Sequence, residues 1–126
     1  MLRIGSRLNI YDNSGALKLQ IINMGRKKTH KKSSLNVCSI AKGVIKESVP
    51  NKKIQKKMMV NVLITSTRKK YSRKNGFYVN FNKNVGVLIN KERYTPLATR
   101  VKNPVAKELR FNKKYKIIIK KAKRLL

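Results

Sequence analysis

Leu8-Asn9-Ile10-Tyr11-Asp12-Asn13-Ser14-Gly15-Ala16-Leu17 is the stretch on which the fold turns. Apolar and polar residues alternate from Leu8 to Tyr11, the period of a half-buried strand, and Asp12, Asn13, Ser14 and Gly15 all favour turns. The reading is strand, turn, strand, with the second strand over residues 17–24 and Gly25 closing it. Downstream, residues 37–49 are rich in β-branched side chains and stop at Pro50, which has no N–H to give to a ladder. Residues 58–67 read as another strand. Asn75-Gly76 is the strongest short hairpin signal available to a chain. It introduces residues 77–81 and then 85–89 as two further strands around Asn82-Lys83-Asn84, so the meander is complete near Asn90.

The last third has a different character. Pro96, Thr99-Arg100 and Asn103-Pro104 interrupt the strand pattern, and residues 104–110 are expected to begin a short helix, with Asn103 capping and proline at its first position. Short consecutive strands with brief polar connections and little helix predict an all-β fold, a small closed meander barrel. Neither a repeat nor a linker is visible, so residues 1–126 are expected to form one domain. It carries basic loops at 26–34, 51–57 and 68–76, and a C-terminal segment at 96–126.

Thirty-three Lys and Arg residues stand against four acids, for a formal charge of +29 in 126 residues. Self-repulsion on that scale opposes a compact state unless a dense polyanion supplies the countercharge, and nucleic acid is such a polyanion. With 40% apolar residues in runs between the basic clusters, a wholly disordered tail is not expected. Runs such as Val85 to Ile89 and Ile117 to Ile119 are far too short to cross a membrane, so no membrane partner is expected. A lone cysteine, Cys38, excludes an internal disulfide and any cysteine-cluster zinc site, and fits a reducing compartment.

The residues offer no catalytic centre. Asp12, Glu47, Glu92 and Glu108 each stand alone in a segment of different predicted structure, and structural roles are expected: Asp12 bonding amides of its own turn, Glu47 and Glu108 near lysines. His30 has no acid nearby to orient it, and Cys38 has no partner base, so it reads as a small packed hydrophobe. The glycines spell no phosphate-binding loop. No enzyme activity, metal, cofactor or small-molecule substrate is expected.

What remains is positive charge in loops that a meander gathers at barrel ends. Arg26, Lys27, Lys28, Lys31 and Lys32 in the first loop, Lys52 and Lys53 in the second, and Lys69, Lys70, Arg73 and Lys74 in the third are the expected phosphate-binding residues. Tyr71, Phe77 and Tyr78 interleave with the third cluster, where aromatic rings can stack on unpaired bases. Phe77 and Phe81, sharing a strand face, are expected in the core; Tyr71 and Tyr78 are open to either role.

Leu8 to Ala16, with its Asp-Asn-Ser-Gly-Ala string, resembles the N-terminal signature of the universal large-subunit ribosomal protein number 14 family. Ile45-Lys46-Glu47-Ser48-Val49-Pro50, Thr67-Arg68-Lys69-Lys70, Val87-Leu88-Ile89-Asn90, and Thr99-Arg100 with Pro104-Val105-Ala106-Lys107-Glu108-Leu109-Arg110 follow in that family's order, over nearly the whole chain. The resemblance implies a five-stranded barrel with a projecting β-ribbon and short C-terminal helices. It also implies a non-catalytic protein that binds large-subunit rRNA, touches neighbouring large-subunit proteins and faces small-subunit rRNA across a bridge. Thr99 and Arg100 lie in the segment that would carry the inter-subunit contact and, in bacteria and organelles, the docking of a ribosome-silencing factor. The chain departs from the family pattern where Gly-Asp pairs appear as Cys38-Ser39 and Lys57-Met58, where the Gly of Gly-Thr-Arg is Ala98, and where the Gly before Pro-Val is Asn103.

Lys, Asn and Ile, whose codons are A/T-rich, number 24, 13 and 12. With the family signature so near Met1, and a C-terminal pattern like that of the bacterial branch, a mitochondrial ribosome with an organelle-encoded copy is expected; a plastid or bacterial cytoplasm is the alternative. The rival function is a free regulator that binds RNA or single strands through the same charge and aromatics.

Overall fold

The structure is a computed structural model that describes residues 2–24 and 34–126. Its strands are β1 (Arg7–Ile10), β2 (Ala16–Asn23), β3 (Ile40–Ser48), β4 (Met59–Ser66), β5 (Tyr71–Ser72), β6 (Tyr78–Val79) and β7 (Val85–Ile89). Five of them close a barrel in the order β1-β2-β3-β4-β7, and β5 and β6 form a separate two-stranded ribbon. Strands that run alternately up and down leave the first and fifth pointing the same way. An odd-stranded meander therefore has to close on a parallel pair, and β1 meets β7 in parallel, with Asn9 opposite Val85 and Ile10 opposite Gly86. The ribbon is the connection between β4 and β7, which pair antiparallel with Val62 opposite Leu88 and Leu63 opposite Val87.

Side chains alternate between the faces of a strand, and in β4 and β7 both faces are apolar. Val62, Ile64 and Leu88 join Leu8, Leu19, Ile21 and Ile45 inside the barrel. Leu63, Val87 and Ile89 belong to a second cluster with Val101, Val105, Leu109, Tyr115 and Ile118, supplied by the C-terminal segment. Gly86 is required by the interior: a Cβ there would lie 2.4 Å from Val62 Cγ2 and 2.6 Å from Leu8 Cδ2.

The C-terminal segment lies against the barrel as an outer layer. Lys102 N–H donates to the Tyr11 carbonyl at 2.9 Å, and Ala106 N–H to that of Thr65 at 3.1 Å. It contains 3-10 turns at Lys107–Phe111 and Lys113–Tyr115, and one short helix, α1 (Lys116–Lys121). No helix of the described residues is long and apolar enough to cross a membrane.

The all-β barrel, the projecting ribbon and the Asn75-Gly76 turn match the reading of the sequence; Gly76 sits at φ +81°, and its N–H donates to Arg73 O at 3.0 Å. Other expectations need correction. Residues 104–110 do not begin a helix capped by Asn103: the 3-10 turn starts at Lys107 and has no side-chain cap. The reason is that Val105 stays extended to bridge Leu125, while the Asn103 amide turns to Ser66 Oγ and the Pro104 carbonyl. Phe77 is not in the core but 70% exposed, because β6 is two residues long and none of the described residues forms a layer over this ring. Phe81, by contrast, packs against the outer cluster. The third strand begins at Ile40 rather than Val37, since Cys38 takes a left-handed conformation, φ 67°.

Candidate nucleic-acid interface

The turn after β1 organises one part of the cationic surface. Asp12 is buried. Its Oδ1 accepts from the Ser14 N–H at 2.9 Å and from the Ser14 hydroxyl, and its Oδ2 accepts from Leu88 N–H at 3.3 Å. That fixes the turn to β7 and holds Asn13 outward. The Asn13 Oδ1 accepts from the N–H groups of Thr99 and Arg100, both at 3.0 Å, and its Nδ2 donates to Thr99 Oγ1 at 2.5 Å. Thr99 and Arg100 are both exposed, and the clamp presents them from a fixed backbone.

On the same turn, Gly15 (φ +101°) lies under the Lys52 side chain, so closely that a Cβ at Gly15 would be 2.6 Å from Lys52 Cβ. Val49 N–H donates to Gly15 O at 2.8 Å, which ties the 51–57 loop to the turn. Ile54 anchors this loop in the barrel interior and leaves Lys52 and Lys53 exposed. Lys52 and the Thr99-Arg100 pair thus meet at one turn.

The third cluster divides. Lys69, Lys70 and Lys74 are exposed on the ribbon, and Lys70 Nζ lies 4.9 Å from the centroid of the Tyr78 ring. Arg73, expected with them, turns inward instead. Its Nε is 2.5 Å from Glu108 Oε1, and its Nη2 donates to Leu126 O at 2.7 Å. Tyr71 joins the same carboxylate, its hydroxyl donating to Glu108 Oε2 at 2.9 Å. The acid is the physical reason for the division: a half-buried carboxylate favours a fork-shaped guanidinium over the neighbouring lysines. Burial works against the charge on Glu108, but hydrogen bonds from Arg73, its own amide and Tyr71 hold its carboxyl below the usual range. Burial, and then Glu108, push the Tyr71 phenol up to about 12.

Arg26, Lys27, Lys28, Lys31 and Lys32, and with them His30, lie outside the described residues. Among the described residues Glu47 pairs with Lys18 at 2.9 Å, and the only other ion pair is Arg73–Glu108. Arg100 has no carboxylate partner among them. Cys38 is half-buried against the outer cluster; its thiol is pushed up to about 11 by burial and then by Glu108, which suits a packing role.

Sequence reasoning missed the Asn13 clamp and the Tyr71-Arg73-Glu108 latch. Both depend on partners more than thirty residues away, and only the family strings gave any hint that these segments belong together. It also missed a groove of about 380 Å³ lined by Arg110, Asn112, Lys113, Lys116, Ile119 and Lys120, where the lysines follow no pattern distinguishable from a solvated face.

A closed five-stranded barrel, bearing a ribbon and a surface rich in cations whose few acids are mostly engaged internally, defines a class of small, strongly cationic barrel proteins. The family model described as Ribosomal protein L14p/L23e matches residues 1–126. The chain belongs to that family and is a structural protein of the large ribosomal subunit, in a family that is not one of enzymes.

Proposed function

We propose that the chain binds large-subunit rRNA through phosphates. Lys52 and Lys53 and the ribbon lysines Lys69, Lys70 and Lys74 face the RNA, along with Arg26, Lys27, Lys28, Lys31 and Lys32. Thr99 and Arg100 face the small subunit or a silencing factor, and the 126 residues act as one domain in a mitochondrial ribosome, with plastid or bacterial ribosomes as the alternative. One observation carries this reading: three of the four acids already have internal partners, in the Asp12 turn and the two ion pairs. The remaining cations can therefore be neutralised only from outside. A polyanion that binds the folded form alone also stabilises it by mass action.

Replacing Lys52, Lys53, Lys69, Lys70 and Lys74 by Ala should lower the slope of log K against log salt for rRNA by about 0.7 to 0.9 per lost contact. An unaltered slope would mean that these lysines face solvent or protein. Arg100→Glu should leave large subunits assembled, as judged by sedimentation after a high-salt wash, while subunit joining or silencing-factor binding falls. A variant that fails to enter large subunits would make Arg100 an rRNA or folding residue. Loss of the wild-type chain from the washed subunits would favour the free regulator.

A further inference from the structure

The ribbon presents an arrangement that phosphate binding does not explain. Phe77 and Tyr78 are neighbours where the turn enters β6, and they are 70% and 64% exposed. A large exposed aromatic gains by burial against a partner, and here two adjoin with no layer of the described residues covering them. The tip beside them is open among the described residues, none of which lies within 4 Å of where a Cβ on Gly76 would be. The Tyr71-Arg73-Glu108 latch fixes β5 and the start of the turn to the C-terminal layer, and Arg73 N–H donates to Phe77 O at 2.9 Å, so the rings are held in place before any partner arrives.

We propose that the β5–β6 ribbon is a stacking wedge for unpaired nucleotides of RNA, with Phe77 and Tyr78 each taking a base and Lys69, Lys70 and Lys74 taking the flanking phosphates. Stacking on a ring tolerates any base, because every base has a π face. The three exposed lysines decide between RNA and an apolar protein surface. Covering them with apolar groups would strand their charges without partners, whereas a nucleotide brings a phosphate with each base. Lys70 Nζ lies over one face of the Tyr78 ring, 4.9 Å from its centroid, so a base would take the other face or displace the ammonium toward its phosphate. Duplex RNA, with its bases already stacked on one another, has no such face to offer.

This inference rests on the reading of the chain as RNA-binding, and one titration separates the two. The full chain is titrated with an oligoadenosine RNA of about twelve nucleotides and with an abasic strand of the same length. The wild type should prefer the base-bearing strand. Phe77→Ala and Tyr78→Ala should each weaken that strand about tenfold and leave the abasic strand within about twofold, while Phe77→Tyr, which keeps a ring, retains wild-type affinity. Equal wild-type affinity for both strands overturns the wedge and leaves phosphate binding standing. So does an alanine variant that weakens both strands alike, or a Phe77→Tyr variant as weak as Phe77→Ala; loss of a neighbouring protein from the particle with RNA affinity unchanged would assign the rings to that protein. Absence of salt-dependent binding to either strand overturns both readings.

Discussion

Strand β7 and the ribbon that precedes it occupy neighbouring stretches of chain, yet they are held by different physics. All five residues of β7 are buried, because its inner face fills the barrel and its outer face lies under the C-terminal segment. No residue of β5 or β6 is buried, and the ribbon keeps its place through polar contacts of Tyr71 and Arg73 with Glu108. The barrel wall is thus a three-layer structure locally, with β4 and β7 as the middle layer. The ribbon is a single layer among the described residues, and its Phe77 and Tyr78 rings are exposed.

The largest test of this contrast is truncation on the two sides of the wall. Leu88→Ala inside the barrel and Ile118→Ala in the outer layer should each cost about 2 to 5 kcal/mol in urea denaturation, as fully buried side chains do. Phe77→Ala on the ribbon should stay within about 0.5 kcal/mol. If Ile118→Ala costs no more than Phe77→Ala, the C-terminal layer is an appendage rather than part of the core, and the contrast fails.

The barrel was legible because its evidence is local. Alternation in Leu8-Asn9-Ile10-Tyr11, the turn residues of Asp12 to Gly15, Pro50 and Asn75-Gly76 each act within a few positions, and the five barrel strands formed within about three residues of the expected bounds, whereas β5 lies in a stretch read as loop. What failed depends on distant partners. Phe77 carries the residue type of a core strand, but burial needs a second layer, and nothing near residue 77 tells whether one arrives. The same holds for residues 104–110, whose helix-start pattern loses to pairing with the C-terminal residues. At the candidate site, Lys52, Lys53, Lys69, Lys70 and Lys74 are expected from charge density, and all are exposed. Arg73 could not be told from them, since the carboxylate that claims it lies 35 residues on.

A smaller effect tests the left-handed positions. Cys38 and Lys57, two of the places where the family pattern has glycine, sit at φ 67° and 70°, a region that costs a side chain roughly 1 to 2 kcal/mol. Their fates should differ. Lys57 is exposed, and its N–H donates to Ile45 O at 2.9 Å, which glycine would keep. Lys57→Gly should therefore raise stability by about 1 kcal/mol, or somewhat less after the greater freedom of an unfolded glycine. Cys38→Gly relieves the same strain but removes a side chain packed on the outer layer, so its gain should be cancelled. Thermal melting reads both. Stabilisation by Cys38→Gly equal to that by Lys57→Gly would show that the outer layer presses little on Cys38.

The smallest global effect, and the most local one, belongs to Glu108→Gln. The amide keeps one acceptor oxygen, which can stay with Arg73 Nε, while its NH2 can only donate, to the Tyr71 hydroxyl oxygen. The latch is weakened locally, so the melting point of the barrel should barely move, while hydrogen exchange of the ribbon amides quickens because the charge that gathered the latch is gone. The pH dependence has two ends. Glu108 is held below the usual carboxylate range, so its contribution is present above the ordinary value near 4 and is lost as pH falls through the lower folded value. The Tyr71 phenol is raised to about 12, so its contribution is full below the ordinary value of about 10 and is lost as pH rises through the folded one. Alkaline absorbance titration should show one phenol ionising near 12 in the wild-type chain. In Glu108→Gln that phenol should move down without reaching the ordinary value, because burial is the larger cause of its shift and remains. A wild-type titration in which every phenol ionises together near 10 would mean that the latch is open in solution. The ribbon would then hold its rings no more firmly than any exposed hairpin.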